Sequence, residues 1–384
     1  MKRKKIIGII LGIINGVLFL ILIEIAVRIY DKERPFLPPA APEWIIFSPT
    51  LHYTMKPGFG GEIYKTAAEI NSQGFRGREF NPVKGDTFRV VCMGNSSTFG
   101  NGVKVEDTYP YILEQRLKGK YGEKVQVINA GVPGYSSFQG EILWSEKIAD
   151  FKPDVVVVSY GFNDRRTVPD SGWTDGGDFF RRDAKVQARM RFFSKSYLWR
   201  WLLHLLNLDE KVPEITGFIV RVDKDDYEAN LRGIGEKVQA AGGKVLFLGV
   251  PDRNNLHDFC REVETAMVEG EYQKGREMVE KSNNLYSRIM RRRFNLLADS
   301  LQAEISRVAE WPDVMAFHGG LPIYTAEEYN AAMRTAAEAL KADYIDLSGK
   351  LGEEDYLDFI HFNQSGAEKA ARMLEERIMA GKKV

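Results

Sequence analysis

Four short stretches hold residues that could do chemistry together. In Gly94-Asn95-Ser96-Ser97-Thr98-Phe99-Gly100 the flanking glycines permit a tight strand-to-helix turn, which projects a serine hydroxyl above its surroundings. Backbone N–H groups at such a turn can receive an oxyanion. In Asn129-Ala130-Gly131-Val132-Pro133-Gly134-Tyr135-Ser136, Gly131 offers an unshielded N–H to a substrate oxygen. In Gly161-Phe162-Asn163-Asp164, the Asn163 amide is a donor that could be aimed at developing negative charge. In Asp358-Phe359-Ile360-His361 a carboxylate stands three residues before an imidazole. That spacing lets Asp358 accept from one ring nitrogen and leaves the other free to take a serine proton. Singly, each stretch also has a plainer reading: a polar loop, a Gly/Pro turn, an Asx turn closing a strand, or a surface pair.

The elements around these stretches must position them. Phe88–Met93, Val125–Asn129, Val155–Ser159, Lys244–Val250 and Tyr344–Leu347 are apolar runs without alternation, as expected for parallel strands buried on both faces. Between and after them, Thr108–Leu117, Gln139–Ala149, Tyr227–Ala241, Ser282–Ala309, Ala326–Leu340 and Gln364–Met379 carry helical periodicity. The alternation predicts a three-layer α/β/α domain over residues 48–384, built on a central, mostly parallel five-stranded sheet. Ligands in open sheets of this kind sit beyond the carboxyl ends of the strands. Ser96, Gly131 and Asn163 each come just after such an end. Two segments stand outside the repeat: residues 48–86, rich in glycine and predicted as strands and turns, and a long basic and aromatic insertion at about 165–225.

In this order and placement the stretches resemble the four blocks of the SGNH, or GDSL-type, hydrolases. Gly94–Gly100 looks like the first block, Gly131 the second, Gly161–Asp164 the third and Asp358–His361 the last. The likeness continues through Asn363-Gln364-Ser365-Gly366 into the final helix. Upstream, Ser72-Gln73-Gly74-Phe75-Arg76-Gly77 is similar to a segment of membrane-anchored bacterial members. One departure stands beside the serine: the family usually has Asp there, and this chain has Asn95.

The resemblance implies a flavodoxin-like SGNH fold and a serine esterase mechanism. Ser96 would attack an ester carbonyl, His361 would remove its proton, and Asp358 would hold the imidazole tautomer. The Ser96 and Gly131 N–H groups and the Asn163 amide would bind the oxyanion, and no metal or organic cofactor is needed. The substrate class is an ester-bearing small molecule, lipid or glycan, possible groups including O-acetyl. Two alternatives keep the fold: an O-acyltransferase that passes the acyl group to a sugar hydroxyl, and a non-catalytic surface-binding protein, for which Asn95 is the only encouragement.

The amino terminus makes a separate prediction. Met1-Lys2-Arg3-Lys4-Lys5 is basic, and Ile6 to Ile23 is almost unbroken apolar sequence interrupted by Asn15. About 18–20 such residues at 1.5 Å rise span roughly 30 Å of hydrocarbon. Glu24-Ile25-Ala26-Val27-Arg28 is a poor small-residue cleavage site, which favours a signal anchor over residues 1–30 against a cleaved signal peptide. The positive-inside rule keeps the basic end cytoplasmic and sends the catalytic domain across the membrane. Residues 31–47, with four prolines, read as an extended tether.

Other features have ordinary readings. Lys+Arg and Asp+Glu number 53 each, so no basic excess points to nucleic acid. The two cysteines, Cys92 and Cys260, are too few for a disulfide framework, and Cys92 reads as a buried thiol. His52, His204, His257 and His318 lack metal-ligand spacing, although His257-Asp258 could approach the site. Arg291-Arg292-Arg293 reads as a solvated helix face. Tyr197–Leu206 is apolar with interleaved cations: a helix packed on the domain, with a lid or a helix on the membrane surface as alternatives.

Overall fold

The computed structural model describes residues 2–33, 42–48, 50–169, 197–206, 218–249, 326–358 and 360–380, with a few single positions between 262 and 281. The predicted helix Ser282–Ala309, together with His257, Cys260, Arg291–Arg293 and His318, lies outside the described residues, as does most of the insertion.

The chain begins with α1 (Lys2–Glu33), which is long and apolar enough over Leu11–Ile29 to cross a membrane, with none of that window buried. Two short antiparallel hairpins follow: β1 (Ile45–Ser48) with β2 (His52–Met55), and β3 (Gly60–Ile63) with β4 (Thr66–Glu69). The first strand thus starts inside the predicted tether. The central sheet then opens with β5 (Phe88–Gly94), followed by α2 (Ser96–Phe99), α3 (Tyr109–Tyr121), β6 (Val125–Gly131), α4 (Ser137–Glu146) and β7 (Val155–Ser159). The described parts of the insertion are β8 (Thr167–Pro169), α5 (Tyr197–Leu205) and β9 (Phe218–Val220). β8 and β9 pair antiparallel and so bring the two ends of the insertion together. The chain closes with α6 (Lys224–Ala240), β10 (Lys244–Leu248), α7 (Ala326–Ala339), β11 (Asp343–Ile345) and α8 (Gln364–Ala380).

The five sheet strands run in the order β11-β10-β7-β5-β6, all parallel. Their alternating side chains explain why each run is apolar throughout. From β5, Val91 and Met93 pack with Trp144 of α4, Leu231 of α6 and Met333 of α7 in one layer. Val90 and Cys92 face the other way, against Leu113 of α3 and Leu374 of α8. Cys92 is fully buried as a free thiol, and burial pushes its pKa well up. Across the second layer, Arg116 and Lys120 of α3 reach Glu375 of α8 at 2.6 and 3.0 Å.

β5 lies between β7 and β6, so the loops leaving those two strands flank the loop leaving β5. That ordering gives the candidate site its neighbours.

Candidate active site

Ser96 is the first residue of α2, directly after β5 turns at Asn95. Asn95 has extended backbone angles, and its side-chain oxygen accepts from the Ser97 N–H at 2.9 Å. This is N-cap work, which a neutral amide does about as well as a carboxylate. The Asn-for-Asp departure therefore preserves the local turn. The Ser96 N–H lies in the first turn of a helix and has no intrahelical acceptor. At the other end of α2, Arg76 is 3% exposed and donates to the Phe99 carbonyl at 2.9 Å, to Gly100 O, and to Val103 O at 2.7 Å. Burial lowers its pKa to about 10, which leaves the cation charged at neutral pH, against the carbonyl end of the helix. This gives a structural role to the upstream Ser72–Gly77 segment.

The histidine arrives on the loop before α8. His361 Nδ1 lies 2.6 Å from Asp358 Oδ2, and His361 Nε2 lies 2.8 Å from Ser96 Oγ. A carboxylate only accepts, so Nδ1 carries the proton and donates it to Asp358, while Nε2 accepts from the Ser96 hydroxyl. The other carboxylate oxygen accepts from the backbone N–H groups of Ile360 at 2.9 Å and His361 at 2.8 Å. Burial would raise the Asp358 pKa, but the imidazole and these two amides outweigh it and hold the carboxyl below its ordinary range. Ser97 Oγ donates to Ile360 O at 3.0 Å, tying the serine turn directly to the histidine loop. Asp355, fully buried, anchors that loop to α8 through Ser365 and Lys369.

The two flanking loops supply donors. Asn163, 3% exposed, donates through Nδ2 to Tyr135 O at 2.9 Å, which uses one of its two amide hydrogens. Asp164 locks this loop by accepting from Gly161 N at 2.9 Å and Ser137 N at 2.7 Å. Gly131 behaves differently from its predicted role. β6 continues two residues past Asn129, so Gly131 sits in the ladder opposite Gly94, and its N–H is taken by Asn129 Oδ1 at 3.1 Å. A Cβ there would lie 2.3 Å from the Phe99 nitrogen, so glycine is required for close approach to α2. The glycine whose donor stays open is Gly134, in a left-handed turn at φ +87°. Among the described residues no hydrogen bond engages its N–H. Its peptide is held from behind, since the Tyr53 hydroxyl donates to Pro133 O. Arg221 in turn holds the Gly134 carbonyl at 2.7 Å. The Pro133-Gly134 pair was a visible turn signal, but choosing between two glycines required the true end of β6.

A hydroxyl, an imidazole and a carboxylate in series at the carboxyl edge of a parallel sheet define a hydrolase-type site, able to activate a serine for attack on a carbonyl. The comparisons name the class: the chain matches the family model described as the GDSL-like lipase/acylhydrolase family over residues 92–369, and it belongs to that family. A relative of known activity is an acetylxylan esterase from Xylanibacter ruminicola, 37% identical over 103 residues, which is 25% of this chain and 20% of that protein. The chain thus spans only about a fifth of that relative's length. Similar solved structures include a catalytic mutant of Axe2, an acetylxylan esterase from Geobacillus stearothermophilus, at 15% identity and TM-score 0.39, covering 77% of this chain and 95% of that one. Another is a GDSL-like lipase from Parabacteroides merdae, described there as putative, at 13% identity and TM-score 0.40, covering 77% and 96%.

Proposed function

We propose that this protein is a membrane-anchored serine esterase with its catalytic domain on the extracytoplasmic side. The observation that carries the reading is the unbroken series Asp358–His361–Ser96, at 2.6 and 2.8 Å. Ser96 Oγ attacks the ester carbonyl as His361 Nε2 takes its proton, and Asp358 stabilises the imidazolium. The oxyanion is received by the Ser96 N–H, the free hydrogen of the Asn163 amide and the Gly134 N–H, with Gly134 replacing Gly131 in that role. His361 then protonates the departing alcohol, and water, deprotonated by the same imidazole, releases the acyl group.

The stretch shared with an acetylxylan esterase favours a short acyl group, O-acetyl on a carbohydrate hydroxyl, as the substrate. The cap bond from Ser97 N to Asn95 supports this reading over a non-catalytic protein, since the turn that carries Ser96 forms with Asn in place of Asp. Residues 1–30 serve as the anchor and 48–384 as the hydrolase domain. Lys2–Lys5 orient the anchor, with the basic end retained in the cytoplasm.

The test uses the full chain in phosphatidylcholine nanodiscs with nitrophenyl acetate, butyrate and octanoate, alongside acetylated xylo-oligosaccharides. Release of acetate that is strongest for the short chain and lost in Ser96→Ala supports the reading. Equal turnover by wild type and Ser96→Ala would overturn it.

A further inference from the structure

α1 is exposed at every residue from Leu11 to Ile29 except Ile23, Glu24 and Val27, which are half-buried. These three lie on one strip of the helix, and α5 packs against that end of α1. The Glu24 carboxylate fixes the contact: it accepts from the Leu198 N–H at 2.7 Å and from Arg28 Nε at 2.8 Å. An acid at the start of a helix satisfies an otherwise unpartnered N–H and complements the helix dipole.

The position of Glu24 sets the depth. It is the first charged residue after the apolar run that begins at Ile6, and it lies near the carboxyl end of the Leu11–Ile29 span, about 7.5 Å along the helix from Ile29. α5 therefore starts close to the boundary between hydrocarbon and headgroups. Leu198, Trp201, Leu202 and Leu205 recur at i, i+3, i+4 and i+7, which is one helical stripe. Leu205 and Leu206 are 63% and 55% exposed, so the stripe runs on past α1 uncovered among the described residues. Residues 197–206 include no acid, two tryptophans and a tyrosine, a composition suited to the membrane interface.

We propose that α5 is a second membrane contact: it lies in the interfacial layer of the bilayer that α1 crosses, with its apolar stripe against the lipid. This rests on the membrane-anchored reading above. It makes α5 a strap that lies along the lipid surface beside the anchor.

The test reconstitutes the full chain in vesicles of three parts phosphatidylcholine to one part phosphatidylglycerol, with Cys260 replaced by serine. Buried Cys92 is unreactive to label. One variant carries an environment-sensitive fluorophore at Leu205→Cys, the other at Leu18→Cys, and circular dichroism checks that each is folded. The proposal expects shallow spin-labelled lipid to quench the label at 205 and deep spin-labelled lipid to quench that at 18, with iodide quenching neither strongly. A quenched label at 18 with a label at 205 that sees iodide and not lipid overturns the strap and leaves the anchor. A label at 205 shielded from both quenchers means that α5 packs on protein, which also overturns the strap. If neither position is quenched by lipid, the anchor itself fails.

Discussion

Replacing Asp358 by asparagine separates orientation of the imidazole from mere occupancy of the loop. The two backbone donors, Ile360 N and His361 N, both point at Oδ1. In Asp358→Asn the amide oxygen must therefore stay at Oδ1, and the NH2 group falls where Oδ2 stood, facing His361 Nδ1. Two donors cannot share that contact, so the imidazole shifts its proton to Nε2 and accepts at Nδ1. Nε2 then presents a hydrogen to the Ser96 oxygen and cannot act as its base. The wrong tautomer in a comparable triad costs about 10⁴ in kcat, which corresponds to roughly 5 kcal/mol of transition-state stabilisation. For this protein we expect a fall of about 10³–10⁴ in kcat for nitrophenyl acetate, with KM changed less than about threefold, because the carboxylate does not face the ester. Circular dichroism of the variant should match wild type, since both backbone hydrogen bonds survive. A folded variant that lost less than about tenfold would refute the assignment of Asp358 as the group that sets the tautomer.

Asn163→Ala should lower kcat by about 10²–10³, the usual effect of losing one oxyanion donor; an unchanged kcat with a raised KM would place Asn163 in substrate binding instead. Gly134→Ala meets both a positive φ and the Tyr53 hydroxyl, which lies 2.4 Å from the added Cβ. Its kcat should fall by about 10²-fold, while Tyr53→Phe, which frees the Pro133 carbonyl, should fall by about tenfold or less. The acid side of stability should depend on Glu375. Burial would raise its pKa, but Lys120 and Arg116 hold it below the ordinary carboxylate range. A depressed folded pKa contributes stability above the unfolded value of about 4.3, and that contribution disappears as pH falls through the lower folded value. Glu375→Gln should therefore melt lower than wild type at pH 7, and the gap should close in the acid; a gap that persisted at low pH would contradict the sign.

Much of this arrangement could be read from the chain because a parallel sheet forces a simple pattern. Strands buried on both faces are apolar throughout, so β5, β6, β7 and β10 stood out, and chemistry placed after them had a known address. Ser96 and Asn163 are legible for that reason, whereas the Asp358–His361 pair follows none of these strands and is legible from its three-residue spacing and from the family resemblance. β11 was set too far along, at Tyr344–Leu347 in place of Asp343–Ile345, because a short edge strand has few residues to mark it. Sequence alone puts Gly131 just past the end of β6, because the two extra residues of that strand depend on pairing with β5, which periodicity does not show. Tyr53 holding Pro133, Arg76 holding Phe99 and Glu24 capping α5 are contacts between residues far apart in the chain, and local pattern carries no signal for them.

The central claim is that Ser96, activated by His361, is the nucleophile. The most direct measurement is covalent labelling of the full chain by a fluorophosphonate, with the modified residue located by peptide mass spectrometry. The account predicts a single adduct on the peptide carrying Ser96, at least about 10³-fold slower in His361→Ala and absent in Ser96→Ala. Labelling of Ser97 or another serine at the wild-type rate, or an adduct that forms equally fast without His361, would contradict it.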